Sequence, residues 1–203
     1  MDFHPISRTY PLVLASASPR RKRLLKQIGL PLRSMTSNVP EDDIGRDPEQ
    51  TACILSEKKA VQVYALTGDS WILGADTVVA IDGITLGKPR DKKNARHMLS
   101  MLSGREHRVI TGFCILNPRG DTALCEAVTT LVRIRELNDH EIEAYIRTDE
   151  PFGKAGSYAI QGIGSFMVEG ISGSYTNVVG LPLCALIKAL VSMGALLEFP
   201  ISP

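Results

Sequence analysis

One carboxylate, Asp76, stands in the otherwise apolar stretch Gly74-Ala-Asp-Thr-Val-Val79. Burying a lone carboxylate is costly unless a metal, a proton or a cation meets it. The position therefore reads as a metal ligand or a general base, or, more plainly, as an Asp at a strand end satisfying a turn. Upstream, Ser16-Ala-Ser-Pro-Arg-Arg21 feeds a strand directly into a helix with Ser18 at the cap and Pro19 at the first position. Arginines in a first turn oppose the helix dipole. Free N–H groups, the positive dipole end and the forks of Arg20 and Arg21 would together hold an anion such as phosphate. The alternative is an ordinary capped helix with solvated arginines.

Other residues carry weaker local signals. Lys88 in Gly87-Lys-Pro89 is either a point charge for phosphate or a solvated turn lysine, and the spacing of a Walker loop is missing. Lys59 in Glu57-Lys-Lys-Ala60 carries the same two readings. In Lys154-Ala-Gly-Ser-Tyr-Ala-Ile-Gln-Gly162, small residues allow close backbone approach. Gln161 there offers a donor and an acceptor suited to a base edge; a flexible loop feeding a strand is the competing reading. Glu41-Asp42-Asp43 is either a set of hard oxygen donors for Mg²⁺ or a solvated acidic turn. His97 and His107 read as a surface helix residue and a strand residue. Several cations, an isolated Asp and an acidic cluster, without a nucleophile motif, are jointly what a metal-dependent phosphoanhydride hydrolase requires.

Strands and helices alternate to position these groups. Residues 10–15 form a short apolar run, read as a buried strand. Asp47 caps a second helix with Pro48 at its first position and Gln50 placed for a capping box; it runs towards Gly68. Residues 71–80 read as a strand interrupted at Gly74, and Asp82-Gly83 as a tight hairpin turn. Asp91 caps a helix ending at Gly104. Residues 107–116 and 122–134 read as strands, Asn138 with Glu141 starts a fourth helix, and residues 182–193 are a last amphipathic helix. Residues 151–180, rich in Gly and Ser, read as loop plus short strands. Residues 1–10 read as a ragged lead-in and the Pro-rich end as a loose tail. The mixture predicts an α/β fold with a mixed sheet.

At 203 residues the chain suits one domain, or one with a lobe. Its 23 Lys+Arg against 22 Asp+Glu leave +1, which argues against a nucleic-acid or polybasic membrane binder. With 44% hydrophobic and 22% charged residues, wholesale disorder is excluded. No apolar run approaches the roughly 18 residues of a membrane span. An early acid and no apolar leader segment argue against secretion. Cys53, Cys114, Cys125 and Cys184 are far apart in sequence and read as free, reduced thiols of a cytosolic protein.

Together the stretches resemble the Maf family of nucleoside triphosphate pyrophosphatases. The resemblance rests on Leu14-Ala-Ser-Ala-Ser-Pro-Arg-Arg21, Gly74-Ala-Asp-Thr-Val-Val79, Leu86-Gly-Lys-Pro89, Leu102-Ser-Gly-Arg105 with His107 and Val109, the block 154–162, and Gly173-Ser-Tyr-Thr-Asn-Val-Val-Gly-Leu-Pro-Leu183. These occur in family order across most of residues 11–193. The resemblance implies an elongated mixed sheet flanked by helices, two lobes around a cleft, like the inosine triphosphatases. It implies one domain over residues 11–195, with 1–10 and 196–203 as extensions. It further implies a cytoplasmic enzyme, often a homodimer, that uses Mg²⁺ or Mn²⁺ to cleave a nucleoside triphosphate to the monophosphate and pyrophosphate. Asp76 falls on the proton acceptor, and Asp76 with Glu41 on the metal ligands. Arg20, Thr77 and Gln161 fall on positions tied to substrate choice; Ser16, Arg21, Lys59, Lys88 and Lys154 match other cleft positions. The Tyr-Ala-Ile-Gln-Gly form resembles the branch acting on dTTP and UTP. Pro40 departs from the pattern, standing where relatives tend to place another acidic residue beside Glu41. The alternative function is a nucleotide-binding regulator of cell division, an inhibitor of septum formation with little catalysis.

Overall fold

Four buried apolar residues, Leu12–Ala15, form β1, and Ser18 then caps α1, Pro19–Gln27, by accepting from the Arg21 N–H. The computed structural model of the chain describes residues 3–40 and 47–201. Next come β2 (Leu32–Met35), α2 (Pro48–Thr67), β3 (Ile72–Ile81) and β4 (Ile84–Leu86). The chain continues through α3 (Lys92–Leu102), β5 (Glu106–Leu116), β6 (Thr122–Ile134) and α4 (Asp139–Ile146). Two 3₁₀ turns (Ala155–Ser157 and Ile163–Met167), β7 (Val168–Ser172), α5 (Tyr175–Val179) and α6 (Leu183–Ser192) complete it.

Among the described residues the strands make one seven-stranded sheet of order β2-β1-β3-β5-β6-β7, with β4 folded back on β3. The β1 pairings with β2 and β3 are parallel and the rest antiparallel, which is the mixed α/β sheet expected. Caps fall where the residue chemistry placed them. Asp47, Asp91 and Asn138 each accept from an N–H three residues on, and Asn138 and Glu141 close a reciprocal capping box. At the hairpin, Asp82 (φ 50°) and Gly83 (φ 76°) are both left-handed, as a type I′ turn demands.

β3 and β5 are long enough to serve two cores. Leu73, Ala75, Phe113 and Ile115 join Leu14, Leu25, Leu186 and Leu190 in one cluster under α1 and α6. Further along the same strands, Val79, Ile81 and Val109 join Leu99, Ile142, Tyr145 and Tyr158 in a second cluster under α3 and α4. The sheet is thus shared by two packed ends, and the segment between them is where a cleft can open.

Several local expectations are corrected. β3 is not interrupted at Gly74, which pairs with Ala15 of β1 and Cys114 of β5; the residue is glycine because a Cβ there would lie 2.0 Å from the Ser56 carbonyl oxygen of α2. β2 is an additional strand, half-exposed and held by parallel pairing to β1 rather than by an apolar run. Residues 151–180 are partly loop, as expected, but hold a single strand, β7, together with two 3₁₀ turns and the short helix α5. The lead-in is not ragged over residues 3–10: Ile6 is buried, its N–H donates to the Ala195 carbonyl at 2.8 Å, and Trp71 Nε1 donates to the His4 carbonyl at 3.1 Å. The Pro-rich end packs as well as far as it is described, with Phe199 and Ile201 partly buried against the first cluster.

Candidate active site

Between the two cores lies a cavity of about 410 Å³. It is bounded by the turn from β1 into α1, the middle of β3, the Gly87-Lys88 turn and the segment 153–161. Ser16, Arg20, Arg21, Lys59, Asp76, Thr77, Lys88, Lys154 and Gln161 all line it, although the sequence spreads them over some 145 positions. Glu41, read as a metal ligand, lies outside the described residues.

Asp76 and Thr77 are neighbours on β3 and so point to opposite faces. On the α2 face, Lys59 Nζ lies 2.5 Å from Asp76 Oδ1, with both side chains about a tenth exposed (10% and 9%). Lys59 is therefore not a solvated lysine but the buried counter-charge of the isolated carboxylate. The contact depends on two glycines. Besides Gly74, Gly112 on β5 stands directly opposite Asp76 in the ladder, and a Cβ on it would lie 2.3 Å from the Ala52 carbonyl carbon. The long helix thereby rests on bare backbone, close enough to deliver Lys59.

On the other face Arg21 is buried and occupied. Nε donates to the Gly180 carbonyl at 2.7 Å, Nη1 to Ser16 Oγ at 3.2 Å and Nη2 to Thr77 Oγ1 at 3.0 Å. Thr77 Oγ1 meets Thr111 Oγ1 at 2.9 Å, and Thr111 donates to the Asn177 carbonyl at 3.1 Å. Asn177 in turn donates to the Val109 and Val128 carbonyls and to Thr130 Oγ1. The two arginines of α1 thus divide. Arg21 laces α1, β3 and the end of α5 together, while Arg20 has a long contact of 3.5 Å to the Gly153 carbonyl and is only partly buried. Burial lowers the Arg20 pKa, the mark of a cation held in a cleft without full compensation.

The opposite wall is clamped by a residue that the sequence did not single out. Glu150 accepts from Ile163 N–H at 2.9 Å and Gly164 N–H at 2.8 Å, and from Tyr145 OH at 2.8 Å. Its backbone carbonyl accepts from Lys154 Nζ. One residue therefore holds both Lys154 and the turn that follows Gln161. Desolvation, then the charge of Arg20, lower the Lys154 pKa, so the two cations face the same space. A further tie, Gly156 N–H to the Gly87 carbonyl at 3.1 Å, joins this wall to the Lys88 turn. Neither Glu150 nor Thr111 carries a sequence signal; Asn177 falls within the motif block 173–183.

Among the described residues no group of three or more His, Cys, Asp or Glu comes together to hold a metal ion. A Mg²⁺-type ion carried on phosphate needs only one or two protein carboxylates. Asp76 supplies one hard oxygen donor in a cationic cleft, which fits a phosphate-borne ion and not an all-protein cage.

A family model described as Maf-like protein matches residues 11–193. The chain belongs to the Maf family. Among its relatives, the dTTP/UTP pyrophosphatase of Syntrophotalea carbinolica is 49% identical over 191 residues, covering 93% of this Maf chain and 87% of that protein. The dTTP/UTP pyrophosphatase of Geobacter metallireducens is 49% identical over 186 residues, covering 91% and 97%. A crystal structure of a nucleoside-triphosphatase / dITP/XTP pyrophosphatase from Mycobacterium abscessus superimposes loosely, with a TM-score of 0.41 and 16% identity over 91% of this chain and 96% of that one. No helix among the described residues of the Maf chain is long and apolar enough to cross a membrane.

Proposed function

We propose that this Maf protein hydrolyses pyrimidine nucleoside triphosphates, dTTP and UTP first, with CTP and modified pyrimidine triphosphates of the same class, to the monophosphate and pyrophosphate. Its role is then to clear unwanted nucleotides from the pool. The observation that carries this reading is the buried Lys59–Asp76 pair on one wall of a cavity whose other walls bring Arg20, Lys88 and Lys154. A module that only binds nucleotide has no need of a lone carboxylate there, so the enzyme is favoured over the division regulator.

In the mechanism, Lys59 holds Asp76 Oδ1, and Asp76 Oδ2 takes the proton of a water that attacks the α-phosphorus. Arg20, Lys88 and Lys154 draw the triphosphate into line and offset the charge that grows on the departing pyrophosphate. Arg21 acts behind them, fixing Ser16 and Thr77 so that the turn from β1 into α1 keeps its shape. Gln161 reads the edge of the pyrimidine, and a base that leaves its amide unpaired is rejected. When bound, a divalent cation, Mg²⁺ or Mn²⁺, would be held by Asp76 with Glu41 as second carboxylate, and would supply neutralisation of phosphate charge and polarisation of water. With this reading go a homodimeric state and a cytoplasmic location.

The test is pyrophosphate release from a panel of canonical and modified triphosphates with Mg²⁺ or Mn²⁺. Turnover of dTTP and UTP well above that of purine triphosphates is expected. Asp76→Asn should lower kcat by about 10²–10⁴-fold while nucleotide binding persists. Near-normal turnover in that variant removes Asp76 from its role.

A further inference from the structure

Three cysteines that stand far apart in the sequence converge away from the cavity. Cys114 on β5 and Cys125 on β6 are direct cross-strand partners, so their side chains share a face. Cys53 reaches the same place from α2: the Cys125 thiol donates to the Cys53 carbonyl at 3.6 Å, and its Sγ lies 3.9 Å from Ser56 Oγ. Cys125 is exposed, Cys53 half-buried and Cys114 buried. Hydrogen bonds from the Cys114 thiol first, then from Cys53 and Ser56, bring the Cys125 thiol down to about 6 against its desolvation. Glu57 of α2 faces the cluster and opposes this shift, and Glu126 beside Cys125 bears on Cys53. Desolvation, followed by the charge and hydrogen bond of Cys125, pushes Cys53 up to about 12. Cys125 is therefore the most exposed of the three sulfurs and the one that ionises most readily, while Cys53 holds its proton, which is the division of labour of an oxidisable pair.

We propose that Cys125 is a hydroperoxide-reactive thiol and Cys53 its resolving partner, closing a disulfide between β6 and α2. The Cys125 sulfur attacks one oxygen of the hydroperoxide. The S–O bond forms as the O–O bond breaks, the sulfur is oxidised by two electrons to sulfenic acid, and the leaving alkoxide or hydroxide takes a proton from solvent. Loss of the thiolate charge removes one of the influences holding Cys53 protonated. Cys53 gives its proton to solvent and attacks the Cys125 sulfur. The S–S bond forms as the S–O bond breaks, and hydroxide leaves to become water. Cys53 is favoured over Cys114 because it is half-buried and can lose its proton to solvent, whereas Cys114 is buried in the sheet. The bond would tie down the helix that carries Lys59.

The test uses the whole protein with hydrogen peroxide at pH 7, followed by thiol titration and mass-spectrometric peptide mapping without reductant. Cys184, exposed on α6, is the internal control. Expected are the loss of two of the four thiols, a cross-linked Cys53–Cys125 peptide pair, and alkylation of Cys125 about tenfold faster than Cys184. Cys53→Ser should stop at a sulfenic acid on Cys125 trapped by dimedone, and Cys125→Ser should leave basal pyrophosphate release unchanged while abolishing the cross-link. A Cys114–Cys125 bond overturns the assignment of Cys53. Cys125 alkylating no faster than Cys184 overturns the proposal without recourse to any variant.

Discussion

Lys59 on α2 and Asp76 on β3 meet at 2.5 Å with both side chains buried, so a helix and a strand are joined by charge at the place where chemistry is expected. Such a pair is weak evidence for stability, since desolvation consumes most of the attraction. Its two members are nonetheless locked together, because removing either strands the other.

Lys59→Met should therefore destabilise the fold by about 3–5 kcal/mol, the usual penalty for one uncompensated buried charge. In a chain of this size that lowers Tm by roughly 10 °C. The double variant Lys59→Met/Asp76→Asn should recover most of the loss and none of the turnover. Thermal unfolding of the two single variants and the double one measures the coupling; additive losses would show that the two groups do not depend on each other.

Gly74→Ala tests the contact that delivers Lys59. The new methyl would meet the Ser56 carbonyl at 2.0 Å, and this is backbone, which cannot rotate away. Helix α2 must move off the sheet, at about 3 kcal/mol, and Lys59 moves with it. Stability and kcat should fall together. A variant as stable and as active as the parent would mean that α2 does not rest on β3 at that point.

Arg20 and Arg21 are adjacent and chemically identical, yet should fail in different ways. Arg21→Ala leaves the Gly180 carbonyl, Ser16 Oγ and Thr77 Oγ1 without their donor, so Tm should fall by roughly 6–10 °C for about 3 kcal/mol. Arg20→Ala removes a partly buried cation with one long contact, so KM for the triphosphate should rise about tenfold or more with Tm nearly unchanged. Denaturation and steady-state kinetics on the pair decide it, and equal effects in both assays would erase the division.

What was legible in the chain was local. Asp47, Asp91 and Asn138 announce helix starts because a cap is a contact between residues three apart, and Asp82-Gly83 announces its hairpin for the same reason. Asp76 stood out because its flanks are apolar. What was not legible depends on partners distant in sequence. Gly74 looked like a strand break, since nothing nearby in the chain says that α2 needs its bare backbone. Lys59 looked solvated because its counter-charge is seventeen residues away. Strand β2 has no apolar pattern of its own and exists through β1. The cysteines looked isolated until β5, β6 and α2 were laid side by side.

His107 on β5 gives the fold an acid limit. It is buried, with Nε2 2.8 Å from Tyr158 OH and, among the described residues, no partner at Nδ1. Burial pushes its pKa down to about 4, against about 6.5 in an unfolded chain. Above pH 6.5 the imidazole is neutral in both states and stability does not depend on it. As pH falls from 6.5 towards 4, the unfolded chain takes up a proton that the native protein refuses, so stability drops, by about 2–3 kcal/mol at pH 4.5. Below pH 4 both states are protonated and the loss levels off. Urea unfolding at pH 7 and pH 4.5 should show this loss in the parent protein and a much smaller one in His107→Gln. The carboxylates titrate in both proteins and cancel in the difference. If both proteins lose stability in parallel over that interval, the proton goes elsewhere and the burial of His107 is not what sets the acid limit.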